Sequence, residues 1–204
     1  KYLKKLITGL TLLSSTASAT PFVSAELTPM NEKSVLDFKF GGDISDNIGF
    51  FSRSIVGINY KKEISYFSLI DLVFPLRNGF DLLLEAQLIQ GSEPEVVPRI
   101  GLQYFKELKE DVNLFALYTM ALNGKLNGEF VFSGNYTPKL NNKLNYVLNL
   151  ENVTNFGDQG HNFSVQRIRT GLKHGNIEFG PALNLSEDPA FSYNAGGFVR
   201  VGLK

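Results

Sequence analysis

Two histidines and one serine are the first residues to weigh for chemistry. His161 and Ser164 lie three apart, with Asp158 and Asn162 beside them. Such a group could in principle supply a nucleophile, its base and an orienting partner. On an extended strand, however, side chains share a face at a spacing of two and oppose each other at three. Asn155 to Asn162 reads instead as a polar connection, so no catalytic residue is assigned, and His161 is where hydrolysis would be sought. His174, beside Gly175, reads as a turn residue. Asp158 stands without the dense acids and glycine of a calcium loop. Gly124 and Gly128 open no helix, which excludes a phosphate-binding glycine loop. The chain has no cysteine, hence no thiolate metal site and no disulfide framework. No metal and no cofactor is expected.

The second chemistry-bearing set is larger and spread along the chain. Its acids are Glu26, Asp37, Asp71, Asp81, Glu85, Glu129, Glu151 and Glu178, and its bases Lys39, Arg53, Arg99, Arg167, Arg169, Lys173 and Arg200. Most sit in segments whose neighbouring positions are apolar. Leu36, Phe38 and Phe40 alternate with Asp37, Lys39 and Gly41; Leu82, Leu84, Ala86 and Leu88 alternate with Asp81, Leu83, Glu85 and Gln87. The same holds for Leu144 to Glu151, for Ile177 to Asn184, and for Tyr193 to Leu203. Period two puts each set on its own face of a strand. A charge turned to hydrocarbon costs about 2–4 kcal/mol at mid-depth of a bilayer. If the apolar face meets lipid, the charges line an interior. The phase slips near Gln166 to Ile168, where a β-bulge is expected.

Turn signals punctuate these segments. They are Asn31 to Ser34, Ser45 to Asn47, Lys61 to Glu63, Arg77 to Gly79, Gly91 to Pro98, Lys109 to Asp111, Asn123-Gly124, Asn141-Asn142, Asn155 to Asn162, His174 to Asn176 and Ser186 to Pro189. Asn78-Gly79 and Asn123-Gly124 are the firmest, because Asn-Gly suits the positive φ angles of a tight hairpin. Eleven turns delimit twelve strands, or ten if Lys61 to Glu63 or Asn123-Gly124 lies within a continuous strand. The long connections at Gly91, Asn155 and Ser186 are the fifth, ninth and eleventh, so all would fall on one side, with short turns opposite. Tyr60, Tyr66, Tyr104, Tyr118, Tyr136, Tyr146 and Tyr193 fall near segment ends, as interfacial aromatic girdles require.

Residues 1–19 read as a cleavable secretory leader. Lys1, Lys4 and Lys5 precede the apolar run Leu6 to Leu13, and Ala17-Ser18-Ala19 follows as a cleavage site. Three of the 20 basic residues lie in this leader, leaving 17 against 20 acidic ones in residues 20–204. That balance gives no basic surface for nucleic acid. No later apolar run is long enough for a transmembrane helix.

Leader, turn order, alternation and the closing strand Gly196 to Lys204 together resemble the outer-membrane β-barrel superfamily, and within it the small twelve-stranded porin-like channels such as the oligogalacturonate-specific porins. The resemblance implies an all-β, closed, antiparallel up-and-down transmembrane barrel in a bacterial outer membrane, with lipid outside and the fifteen charges lining a narrow pore. The expected function is passive passage of small polar or charged solutes, with Arg167, Arg169 and Lys173 facing acids across the lumen. Alternatives are a closed structural or surface barrel, a lipid-modifying barrel enzyme around His161, and a secreted sandwich or lipocalin-like barrel. The oligomeric state is left open.

Overall fold

The computed structural model describes residues 21–90, 94–124, 126–188 and 190–203. The leader expected over residues 1–19 lies outside the described residues. Within them the chain forms twelve antiparallel strands. They are β1 (Phe22–Pro29), β2 (Lys33–Ser45), β3 (Ile48–Asn59), β4 (Ile64–Pro75), β5 (Phe80–Ile89) and β6 (Glu95–Lys109). There follow β7 (Val112–Ala121), β8 (Asn127–Tyr136), β9 (Leu144–Gly157), β10 (Gly160–His174), β11 (Ile177–Asp188) and β12 (Ala190–Leu203). Each strand pairs with its neighbours in sequence, and β1 pairs with β12, so the sheet closes on itself. The seam runs from Val23 opposite Leu203 to Leu27 opposite Val199. Closure leaves no sheet edge, the one arrangement in which strands can cross lipid with every backbone group paired.

Asn78 and Gly79 take φ of 58° and 85°, the left-handed pair a tight hairpin needs; at Asn123-Gly124 only the glycine is left-handed, at 77°, in a connection that runs from Ala121 to Asn127 and is longer than the tight hairpin expected. Lys61 to Glu63 and Asn123-Gly124 both reverse the chain, which settles twelve strands over ten. Connection lengths are a correction. β9 and β10 run on to a tight turn at Asp158-Gln159, and β11 reaches Asp188 before β12 starts at Ala190. The longest connection is the eighth, Thr137 to Lys143, on the side expected to carry only short turns. Polar residues at Asn155 to Asn162 and Ser186 to Asp188 are strand ends standing clear of the apolar zone. Polarity alone does not tell such an end from a loop.

Opposed residues share a face, so the pairing carries one orientation around the ring. Phe38 opposes Ser54, Ser54 opposes Ser68, and Ser68 opposes Leu88, all outward. Lys39 opposes Arg53 and Asp71 opposes Glu85, all inward. Leu27, Phe40, Ile70, Leu84, Leu102, Phe130, Leu150, Phe179 and Val199 stand exposed on the outer wall. Among the described outward strand positions only Lys106, Lys109 and Glu187 carry charge, all within three residues of a strand end. All the predicted tyrosines on strands point outward. Tyr136 stacks edgewise on Tyr146 at 6.4 Å and Phe80 lies 4.7 Å from Tyr104 towards the end holding the chain termini.

One close approach shapes the wall. A Cβ on Gly171 would lie 2.0 Å from the Phe179 carbonyl oxygen, and one on Gly180 would lie 2.1 Å from that of Thr170. Only glycines let β10 and β11 cross here at that distance. The bulge of β10 sits between His161 and Phe163, not at Gln166 to Ile168, which pair regularly with β9 and β11. The phase slip has another cause: near this end the inward positions, Phe163 and Val165, are apolar and the outward ones, Ser164 and Gln166, polar.

Candidate functional site

All fifteen predicted charges point into the barrel. Twelve are buried, while Arg53, Glu151 and Arg167 are partly accessible from the interior space. They form two groups on opposite arcs. The first joins β1, β2, β3 and β9 to β12. Arg53 donates from Nε and Nη2 to Asp37 at 3.1 and 2.6 Å, and from Nη1 and Nη2 to Glu151 at 3.1 Å each. Arg167 also donates to Glu151. Arg200 donates to Glu26 at 2.8 Å, Glu178 at 2.9 Å and Asn149 at 2.7 Å. Arg169 donates to Glu26 at 2.9 Å and Asn184 at 2.8 Å, and Lys173 to Glu178 at 2.8 Å. The ammonium of Lys39 lies 3.8 Å from Asp37.

The second group belongs to β4 to β8 and is acidic. Asp71 and Glu85 are direct cross-strand partners. Arg99 approaches Glu85 at 3.2 Å but sends hydrogen bonds to Thr119 at 2.9 Å and Asn127 at 2.8 Å. Glu129 accepts from Gln87 at 3.4 Å, and Asp81 accepts from Gln103 at 2.8 Å. Four carboxyls therefore face one guanidinium on this arc, whereas bases outnumber acids on the other.

The expectation that Arg167, Arg169 and Lys173 reach acids across the lumen is corrected. Lys173 and Arg167 pair with acids on adjacent strands, and Arg169 turns towards the seam. The pair that does cross is Arg53 with Glu151. β3 and β9 stand six strands apart in a ring of twelve, on opposite walls. This bridge separates two spaces, one of about 270 Å³ and one of about 40 Å³, and Lys39, Ser133 and Arg167 border both with it.

Sequence reading missed the character of the larger space. Beside its charges it is walled by Phe51, Phe67, Phe115, Phe163, Leu69 and Val165. These occupy inward positions on the same alternation as the charges, so the register would have found them. The neutral partners Asn149, Gln87, Thr119 and Asn127 were recoverable in the same way.

His161 and Ser164 are brought together. The extra residue of the bulge, Asn162, restores a common face, and His161 Nε2 lies 2.8 Å from Ser164 Oγ on the outer wall. Ser164 also meets Thr154 at 3.2 Å, and the imidazole packs edgewise on Phe156 at 6.1 Å.

The sequence matches no protein-family model and no curated protein. Solved structures do match. A KdgM porin aligns over 90% of this chain and 98% of its own at 10% identity and a TM-score of 0.53. The KdgM porin in complex with disordered oligogalacturonate aligns over the same shares at 11% identity and a TM-score of 0.53. A loop-L8 deletion form of OmpT, an outer membrane protein of Vibrio cholerae, covers 90% of this chain and 97% of its own at 8% identity and a TM-score of 0.42. The likeness at this identity is one of architecture: the chain is a closed twelve-stranded antiparallel β-barrel of the kind seen in the KdgM porin.

Proposed function

We propose that the protein is a narrow channel of a bacterial outer membrane, exported by its 1–19 leader, that passes small polar or charged solutes by diffusion. The observation that carries this reading is the sorting of side chains by wall. Charge is almost absent outside, where lipid would expel it, and fifteen charged groups gather inside, eleven of them bordering the two open spaces. A barrel of eight strands is filled by side chains and one of sixteen holds a wide channel. Twelve strands with a charged bridge between two cavities suit a constricted pore. The fold shared with a porin agrees with it. The fifteen inward residues are proposed to line the path, with Arg53 and Glu151 at its narrowest point. Planar-bilayer recording of the refolded protein tests the reading: discrete conductance steps are expected, and none above bare lipid would overturn it.

One observation favours a second reading. The His161–Ser164 contact faces the lipid side, as a lipid-directed hydrolase would need. Among the described residues no hydrogen bond to the other imidazole nitrogen is seen, so the base lacks an orienting group. The channel reading is therefore preferred. Lipid turnover by the wild type that His161→Ala abolishes would reverse that preference.

A further inference from the structure

The larger cavity has an imbalance that the channel reading leaves unexplained. Asp71 and Glu85 are both at least nine-tenths buried, and both border the space. Asp71 Oδ1 and both carboxyl oxygens of Glu85 accept no well-formed hydrogen bond from a donor of the protein; the two carboxyls lie against each other, and Arg99 Nε stands 3.2 Å from Glu85 Oε1. A buried carboxylate left unpaired is costly, and the cost falls when a cation is supplied. The protein supplies one guanidinium to the pair, Arg99, which stands in an ion pair with Glu85 while its hydrogen bonds go to Thr119 and Asn127. Three cations of the opposite arc border the same space but are paired on their own side: Arg53 with Asp37 and Glu151, Arg167 with Glu151, and Lys39 3.8 Å from Asp37. Among the described residues no three acid or histidine side chains converge as a metal ion requires. What the carboxyls lack is hydrogen-bond donors, and an ammonium carries three.

The rest of the wall states what the ammonium should be attached to. Phe51, Phe67, Phe115 and Phe163 border the same space with Leu69. Phenyl faces attract cations and apolar bodies alike. A volume of about 270 Å³ is close to the lower end, about 300 Å³, of small-molecule sites. It would otherwise hold about nine waters.

We infer that this cavity is a binding site for a small organic ammonium ion with a compact apolar or aromatic body. The ammonium donates to Asp71 and Glu85, and the hydrocarbon part lies among the four phenylalanines. As a statement of which solute enters the lumen, the inference rests on the channel reading; occupancy of the site is measured without current.

The test uses the full refolded chain in nonionic detergent and three probes of one size: 2-phenylethylammonium, 2-phenylethanol and 3-phenylpropionate. Calorimetric titration, corrected for the empty micelle, is expected to show binding of the amine. The alcohol should bind at least about tenfold more weakly, the value of one charge-assisted hydrogen bond, and the acid not at all. Asp71→Asn and Glu85→Gln keep the shape of the wall and remove buried charge, so both should fold, as unheated gel mobility will show. Each should weaken amine binding at least about tenfold, with little effect on the alcohol. Equal binding of all three probes, or no binding of the amine, overturns the inference and leaves the two carboxyls to share a proton. Unchanged amine affinity in both variants overturns it too. Bilayer recording on the same preparation separates the two readings. Amine binding without conductance would sustain the site and remove the channel; conductance without amine binding would do the reverse.

Discussion

Replacing Glu151 by alanine attacks the proposed constriction, where this residue borders both interior spaces. Glu151 is the only group of β9 that accepts from Arg53 across the barrel, and it also holds Arg167. Arg53 keeps its bonds to Asp37 at 3.1 and 2.6 Å in the variant, so it stays on its own wall. Deleting the carboxymethyl group beyond Cβ frees room for about two waters. The smaller of the two joined spaces, about 40 Å³, holds one or two waters by the same measure. Water in the constriction thus roughly doubles, and because resistances in series are set by the narrowest part, conductance should rise at least about twofold. The variant also leaves Arg53, Arg167 and Lys39 less balanced, so the reversal potential in a salt gradient should move towards the anion side. Stability should fall by about 1–3 kcal/mol, below the 3–5 kcal/mol of a fully buried pair broken on one side, because the site is partly hydrated and Arg53 keeps a partner. Single-channel recording of both proteins decides it. Unchanged conductance with unchanged selectivity would refute the constriction, and so would a loss of current.

Three further perturbations test the wall. Arg200→Ala removes donors to Glu26 and Glu178 at the seam; urea midpoints in detergent should report a loss of about 2–4 kcal/mol, softened by the partners each acid retains. Leu84→Arg puts a charge on the outer face of β5 and should cost about 2–4 kcal/mol of folding free energy into lipid vesicles; no cost there would mean that this face does not meet hydrocarbon. Gly171→Ala drives a methyl to 2.0 Å from the Phe179 carbonyl and should destabilise by about 1–3 kcal/mol or more, read as a lowered Tm. A Gly134→Ala control, whose Cβ would sit at an ordinary 3.4 Å from Leu114, should change little.

Much of the fold was legible because two local signals agree with the tertiary answer. Asn78-Gly79 sets hairpin geometry within two residues, and the alternation from Leu82 to Leu88 sets which side faces out. Neither needs knowledge of distant partners. The connection at Asn155 to Asn162 is shorter than its polarity suggests, since those polar residues belong to strand ends beyond the apolar zone. The bulge at Asn162 was placed a few residues away because the inward face changes from charged at Arg167 and Arg169 to apolar at Phe163 and Val165. Inward orientation of the charged set could be read from parity. Which partner each charge takes could not, because Arg53 and Glu151 meet through the curvature of the whole ring. The pairing of His161 with Ser164 depended on one inserted residue that shifts parity.

The contact between Glu26 and Arg200 joins residues 174 positions apart. Nearly the whole polypeptide must therefore be present before the first and last strands can clasp. Until that moment any partly assembled sheet offers two bare rims of backbone donors and acceptors, each able to recruit a neighbouring molecule. A single docking event, the meeting of β1 with β12, removes both rims together.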